Sequence, residues 1–126
     1  MAKSIAKSLP SLSVRIDLEP EGRIGPGKIQ LLENIGTCGS ISAAGRAMDM
    51  SYKRAWDLVD ETNRICRQLT VEPQTGGKNG GGAVLTPFGT SLIARYGKIE
   101  RNAASAARKE LEALRKDIGR PRKAAR

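Results

Sequence analysis

The chain has 126 residues, room for one domain with tails. It carries 22 Lys and Arg against 13 Asp and Glu, a net charge of +9, and no histidine. That balance favours a polyanionic partner, and the missing histidine removes the commonest general base and metal ligand. Aromatic residues are limited to Tyr52, Trp56, Phe88 and Tyr96, so the core must be aliphatic and modest. No stretch approaches the roughly 20 apolar residues of a membrane span. The N-terminus also lacks the apolar centre of a signal peptide, so a cytoplasmic chain with no membrane partner is expected.

Residues 1–13 are rich in Ser, Lys and Ala and read as a flexible basic arm. Val14-Arg15-Ile16-Asp17-Leu18 alternates apolar and polar residues, a short strand that Glu19-Pro20-Glu21-Gly22 ends. Pro26 and Gly27 then open a helix over Lys28–Ile35 with Ile29, Leu32 and Ile35 on one face, and Gly36 is its expected stop.

Residues 40–65 read as two short helices joined by a tight turn. Ser40 and Ser51 are expected N-caps, because a hydroxyl can accept one of the unpaired N–H groups of a first turn. Ala43, Ala44, Gly45 and Ala47 give the first helix a face that another helix can approach closely. Asp49 sits where the turn needs left-handed backbone, which Asp tolerates better than most residues. Ala55, Leu58, Val59, Thr62 and Ile65 recur at helical spacing as a buried stripe. The opposite face carries Tyr52, Lys53, Arg54 and Asp57, with Trp56 at its boundary. Such a pair is a helix-turn-helix with a basic, aromatic surface; a plain helical hairpin with solvated charges is the alternative.

Leu69–Glu72 reads as a strand, residues 73–82 as a Gly-rich loop and Ala83–Leu85 as a second strand, together a wing. Lys78 and Asn79 at its tip can contact a phosphate backbone or a minor groove. The loop is not a nucleotide cradle: Glu72 stands where the Walker pattern needs glycine, and Asn79 where it needs Ser or Thr. Thr86 and Pro87 start a helix with no stop before Gly119. Its apolar seam runs through Phe88, Leu92, Tyr96, Ile99, Ala103, Ala107, Leu111, Leu114 and Ile118 on a rod of about 48 Å. A small domain cannot cover that whole stripe, so a second copy is expected to, through Leu92, Tyr96, Ile99, Ala103, Leu111 and Leu114. Fraying past Ala103 is the alternative. Residues 119–126 form a basic tail. Cys38 and Cys66 lack CxxC spacing and read as small buried or half-buried thiols.

Three stretches together resemble one family: Gly39-Ser-Ile-Ser-Ala-Ala, Met50-Ser-Tyr-Lys-Arg-Ala-Trp56, and Thr75-Gly-Gly-Lys-Asn-Gly-Gly-Gly-Ala-Val-Leu-Thr86. They are similar to the N-terminal winged-helix domain of ModE-type molybdate-responsive transcriptional regulators, itself related to the LysR-type helix-turn-helix. The likeness runs from the strand at Val14 through the long helix. It implies a homodimer on a near-palindromic operator of double-stranded DNA, with the helix from Ser51 in the major groove. Ser51, Tyr52, Lys53, Arg54 and Trp56 are then the expected DNA contacts, with Ser40 at the preceding helix and Lys78 and Asn79 on the wing. Full-length members continue into β-rich domains that bind molybdate, and residues 1–126 do not include them. The chain is therefore expected to be either a one-domain regulator or the DNA-binding part of a longer one, with no cofactor of its own and its response to molybdate open.

The fold expected is mostly α with a small β wing, a winged helix-turn-helix with a long C-terminal dimerisation helix. Its divisions are an arm over 1–13, the DNA-binding domain over 14–85, the dimerisation helix over 86–118 and the tail over 119–126. The leading functional expectation is a nucleoid-associated transcriptional regulator of molybdenum-related genes that performs no chemistry. An architectural DNA-binding protein with little sequence specificity is the alternative, and an adaptor using the long helix is a third. An enzyme fits worst, because no paired carboxylates and no nucleophile–base pair stand out.

Overall fold

The computed structural model describes residues 10–74 and 81–119. They fall in two compact units, one made of the described residues between 13 and 98 and one of residues 10–12 and 99–119.

In the first unit the expected strand, β1 (Ile16–Leu18), is met by a return strand that the sequence reading lacks, β2 (Gly22–Ile24). They pair antiparallel with Ile16 opposite Ile24, Asp17 opposite Arg23 and Leu18 opposite Gly22. Residues 19–21 therefore turn the chain back, and Ile24 reaches the core at 2% exposure. Helix α1 (Pro26–Cys38) is longer than Lys28–Ile35. It passes through Gly36 and stops at Gly39, which has φ 79° and donates its N–H to the Ile35 carbonyl. The correction has a packing cause. A Cβ on Gly36 would stand 2.9 Å from Cδ1 of Leu85, so the glycine admits the wing rather than ending the helix.

Helices α2 (Ile41–Ala47) and α3 (Tyr52–Cys66) form as the capping residues require. Ser40 accepts from the Ala43 N–H and Ser51 from the Arg54 N–H, each at 3.0 Å. Between them Asp49 takes φ 57°, the left-handed value expected of it. Gly45 is buried against α3, and a Cβ there would lie 3.1 Å from that of Ala55. Of the expected α3 stripe, Ala55, Val59, Thr62 and Ile65 are buried and Leu58 is half-buried.

The wing is an antiparallel pair, β3 (Val71–Gln74) and β4 (Gly82–Leu85), with Val71 opposite Leu85 and Gln74 opposite Gly82. The first strand starts two residues later than expected and takes in Pro73. Leu69 is exposed, and Thr70 bonds to Asn63 instead of a strand partner. Pro73 costs the ladder no donor, because its partner Ala83 turns its own N–H to the Gly39 carbonyl at 2.9 Å. That bond ties the wing to the end of α1.

Helix α4 (Pro87–Ile118) starts as expected, with the Gly89 N–H donating to the Thr86 hydroxyl at 2.9 Å, and Gly119 follows it at φ 78°. One core cluster joins Leu31, Leu32 and Ile35 to Ile41, Ala44, Ala55, Val59, Val71 and Ala83. A second joins Ile24, Ile29, Ile65 and Tyr96. Leu92 packs on both, so the compact unit runs past the expected boundary at Leu85 to Lys98.

In the second unit residues 10–12 and α4 from Ala104 to Leu111 line a shallow groove of about 490 Å³. Along α4, Ala103, Ala107 and Leu111 are half-buried, while Ile99, Leu114 and Ile118 are exposed. Among the described residues no helix is long and apolar enough to cross a membrane.

Candidate nucleic-acid interface

The first turns of α3 hold most of the expected site. Ser51 fixes the start of the helix, and Tyr52, Lys53, Arg54 and Trp56 all lie on its exposed side. Trp56 is 42% exposed and Tyr52 56%, so Trp56 belongs to the open face rather than to its boundary. The two rings are joined: the indole Nε1–H donates to the Tyr52 hydroxyl at 2.6 Å. A hydroxyl that accepts from the indole keeps its own proton to donate outward. Lys53 pairs one turn on with Asp57 at 3.0 Å. Arg54 has no carboxylate partner among the described residues and lines a groove of about 370 Å³ together with Met48, Met50 and Leu58.

That groove contains residues the sequence reading passes over. Arg15, Arg23 and Lys28 line it as well, together with Gly25, Pro26 and Gly27. Arg15 holds Asp17 at 3.0 Å, and Lys28 reaches Glu61 of α3 at 3.4 Å. The available signal was the run Gly22-Arg23-Ile24: read as a returning strand, it brings Arg23 beside Asp17 and back towards α1.

A second buried set positions the wing. Thr70 donates its N–H and its hydroxyl to Oδ1 of Asn63, at 2.8 and 2.6 Å. Thr86 donates its hydroxyl to the Leu69 carbonyl at 2.7 Å and its N–H to the Thr70 carbonyl at 3.0 Å. The end of α3, the root of the wing and the start of α4 are thereby held by one chain of bonds. Arg67, at φ 57° just past α3, pairs with Glu21 of the β1–β2 turn. That hydrogen bond, helped by the backbone N–H of Glu21, holds the Glu21 carboxyl below its ordinary range.

No protein-family model matches the chain. It is 51% identical over 82 residues to the molybdenum-pterin-binding protein MopB of Rhodobacter capsulatus, covering 65% of this chain and 30% of that protein. Identity is 48% over 71 residues to the DNA-binding transcriptional dual regulator ModE of Escherichia coli K12, covering 56% and 27%. The chain is thus similar to the N-terminal part of ModE-type regulators. The molybdenum transport protein ModE of Azotobacter vinelandii is 34% identical over 104 residues, 82% of this chain and 38% of that protein. The chain thus spans about a third of the length of these curated relatives. In three dimensions it resembles a chain of the CbnR_DBD–DNA complex, with a TM-score of 0.56 at 14% identity over 70% of this chain and 95% of that one. That likeness supports the fold.

Ser51, Tyr52, Lys53, Arg54 and Trp56 are all exposed at the start of α3, with Ser51 as its N-cap. Ser40 caps α2 and is not among the groove-lining residues. Lys78 and Asn79 lie outside the described residues. Of the expected seam, Tyr96 is 2% exposed, donates its hydroxyl to the Val14 carbonyl and packs within the chain's own core. Cys66 is half-buried, and burial pushes its thiol up. Cys38 is exposed, against the expectation of a buried or half-buried thiol: it is the last residue of α1 and belongs to neither core cluster.

Proposed function

We propose that this chain binds double-stranded DNA as the reading part of a ModE-type transcriptional regulator. It acts on molybdenum-related genes as a homodimer on a near-palindromic operator, with α3 in the major groove. The observation that carries this reading is the first turn of α3, a capped helix that leaves Tyr52, Lys53, Arg54 and Trp56 open in a chain of net charge +9. An α-helix fits the major groove, and the N-terminal residues of a recognition helix reach base edges there. The Lys53–Asp57 pair does not stand in the way. An exposed pair of that spacing contributes about 0.3–0.5 kcal/mol, whereas one good base-edge contact is worth about 1–3 kcal/mol. Lys53 therefore leaves Asp57 for the DNA. Ser40 is assigned a phosphate contact, and Lys78 and Asn79 contacts to the phosphate backbone or the minor groove. Exposed Ile99 and Leu114, with half-buried Ala103 and Leu111, support a second copy as partner. The names of the relatives supply the link to molybdenum.

The deciding experiment titrates the chain onto a palindromic molybdate-gene promoter fragment and a scrambled fragment, at two salt concentrations, with and without molybdate. Selective binding supports the reading. Equal affinity for both fragments would favour an architectural protein instead. Selectivity that tightens with molybdate would add a ligand response within these residues.

A further inference from the structure

We propose that the groove between the β1–β2 hairpin, the start of α1 and the first turn of α3 is a second DNA contact, gripping the sugar-phosphate backbone beside the groove that α3 reads. The inference rests on the DNA-binding reading above and assigns a surface that, Arg54 apart, that reading does not use. Four cations from three separate segments line it, Arg15, Arg23, Lys28 and Arg54, and no carboxylate residue is among the lining. Two lining cations already hold carboxylates, Arg15 that of Asp17 and Lys28 that of Glu61. Arg23 faces Asp17 across the ladder, but both Asp17 oxygens accept from Arg15, at 3.0 and 3.4 Å. Among the described residues Arg23 and Arg54 are thus left without a carboxylate partner.

Their placement decides the ligand class. Arg54 belongs to the exposed first turn of α3, so whatever lies along that turn continues into the groove. Gly27 leaves the lining open, since nothing lies within 4 Å of where its side chain would begin. Lys28 is largely covered, with a side chain only 13% exposed, and supplies positive potential rather than contact. Arg15 and Arg23 are exposed and able to reach out. A lone small anion would meet solvated arginines with no buried donor to hold it. A duplex presents about one negative charge per 1.7 Å along its axis and releases counterions at each phosphate neutralised, which makes exposed arginines effective. Arginine also suits phosphate through its planar fork of donors.

The test uses the full chain and a labelled duplex, with affinity followed between about 50 and 200 mM salt. Arg23→Gln is expected to make the slope of log affinity against log salt shallower by about 0.9 and to weaken low-salt binding about tenfold, on specific and scrambled DNA alike. Arg23→Lys retains the charge and is expected to keep the wild-type slope. Lys98→Gln removes an exposed charge outside the groove and is expected to leave the slope unchanged. A wild-type slope in Arg23→Gln would overturn the groove while leaving the DNA reading intact. Loss of inorganic phosphate binding in that variant, at unchanged DNA slope, would make this a small-oxyanion site and overturn it too. Failure of the wild-type chain to bind any duplex would bring down both readings together.

Discussion

The Trp56 indole donates its N–H to the Tyr52 hydroxyl at 2.6 Å, across one turn of α3, with both rings exposed. An open hydrogen bond between two aromatic residues contributes little to folding, since water competes for both groups. It does fix the direction of the hydroxyl. With one lone pair engaged, Tyr52 offers its proton outward, which suits an acceptor such as a purine N7 or the O4 of thymine. Tyr52→Phe and Trp56→Phe are each expected to reduce operator selectivity by about 0.5–1.5 kcal/mol, and the double variant by no more than either alone. Anisotropy titrations on operator and scrambled duplexes measure this. Additive losses would mean the two rings act separately.

Gly89 faces the Thr70 carbonyl so closely that a methyl group placed on it would run into that oxygen. The neighbour is backbone, and it is held by the Thr86 N–H, so it cannot swing aside as a side-chain end would. Gly89→Ala is expected to destabilise by about 3 kcal/mol or more despite the better helix propensity of alanine. Urea unfolding would show it as a lower midpoint at unchanged slope. Gly36→Ala makes a useful contrast, because its clash is with a mobile methyl of Leu85 and the expected loss is smaller.

These two glycines also mark where the sequence stops being legible. Local chemistry is easy to read: Ser40, Ser51 and Thr86 cap their helices, Asp49 takes the left-handed turn, and the α3 stripe turns inward. Those features depend on neighbours within four residues. Gly36 reads as a stop because glycine usually weakens a helix, but Leu85, far along the chain, decides its role. Strand β2 is missed for a similar reason, since three residues carry too little alternation to announce a strand without their partner. The basic groove follows from that omission. Arg15, Arg23, Lys28 and Arg54 come from segments whose proximity only the hairpin and the α1–α3 packing create.

Asn63 is legible only as a polar position on α3, yet it receives both donors of Thr70, a residue with no exposed surface. Asn63→Ala leaves an N–H and a hydroxyl buried without an acceptor and is expected to cost about 1–3 kcal/mol. Asn63→Asp retains an acceptor oxygen and is expected to lose less. Equal losses in the two variants, read by denaturant unfolding, would mean that side-chain packing and not the hydrogen bonds holds the wing root in place.

Glu21 makes the stability of the first unit pH-dependent on the acid side. The Arg67 guanidinium, and then the carboxylate's own backbone N–H, hold its pKa below the ordinary value. A carboxyl whose folded pKa lies below its unfolded one, about 4.3 for glutamate, stabilises fully above the unfolded value. The contribution fades as pH falls through the folded value. Glu21→Gln is therefore expected to melt below wild type at neutral pH and to converge with it on acidification. Parallel melting curves down to the lowest pH would show that the Arg67 pair does not couple to folding.

Tyr96 and Leu114 separate packing within the chain from the proposed contact of α4 with a second copy. Spacing puts both on the same seam, but Tyr96 is buried against Ile24, Ile29 and Ile65 and bonded to the Val14 carbonyl, whereas Leu114 is 48% exposed. A second copy can use only the part of the seam that the chain has not itself covered. Leu114→Glu puts a charge on that part and is expected to shift the chain from dimer to monomer with little change in the melting of the first unit. Tyr96→Phe removes one buried hydroxyl and is expected to lower stability by about 1 kcal/mol without altering association. Sedimentation of both variants against wild type decides between them. A dimer that survives Leu114→Glu and dissociates in Tyr96→Phe would mean that the copies meet through the winged helix and not along the far half of α4.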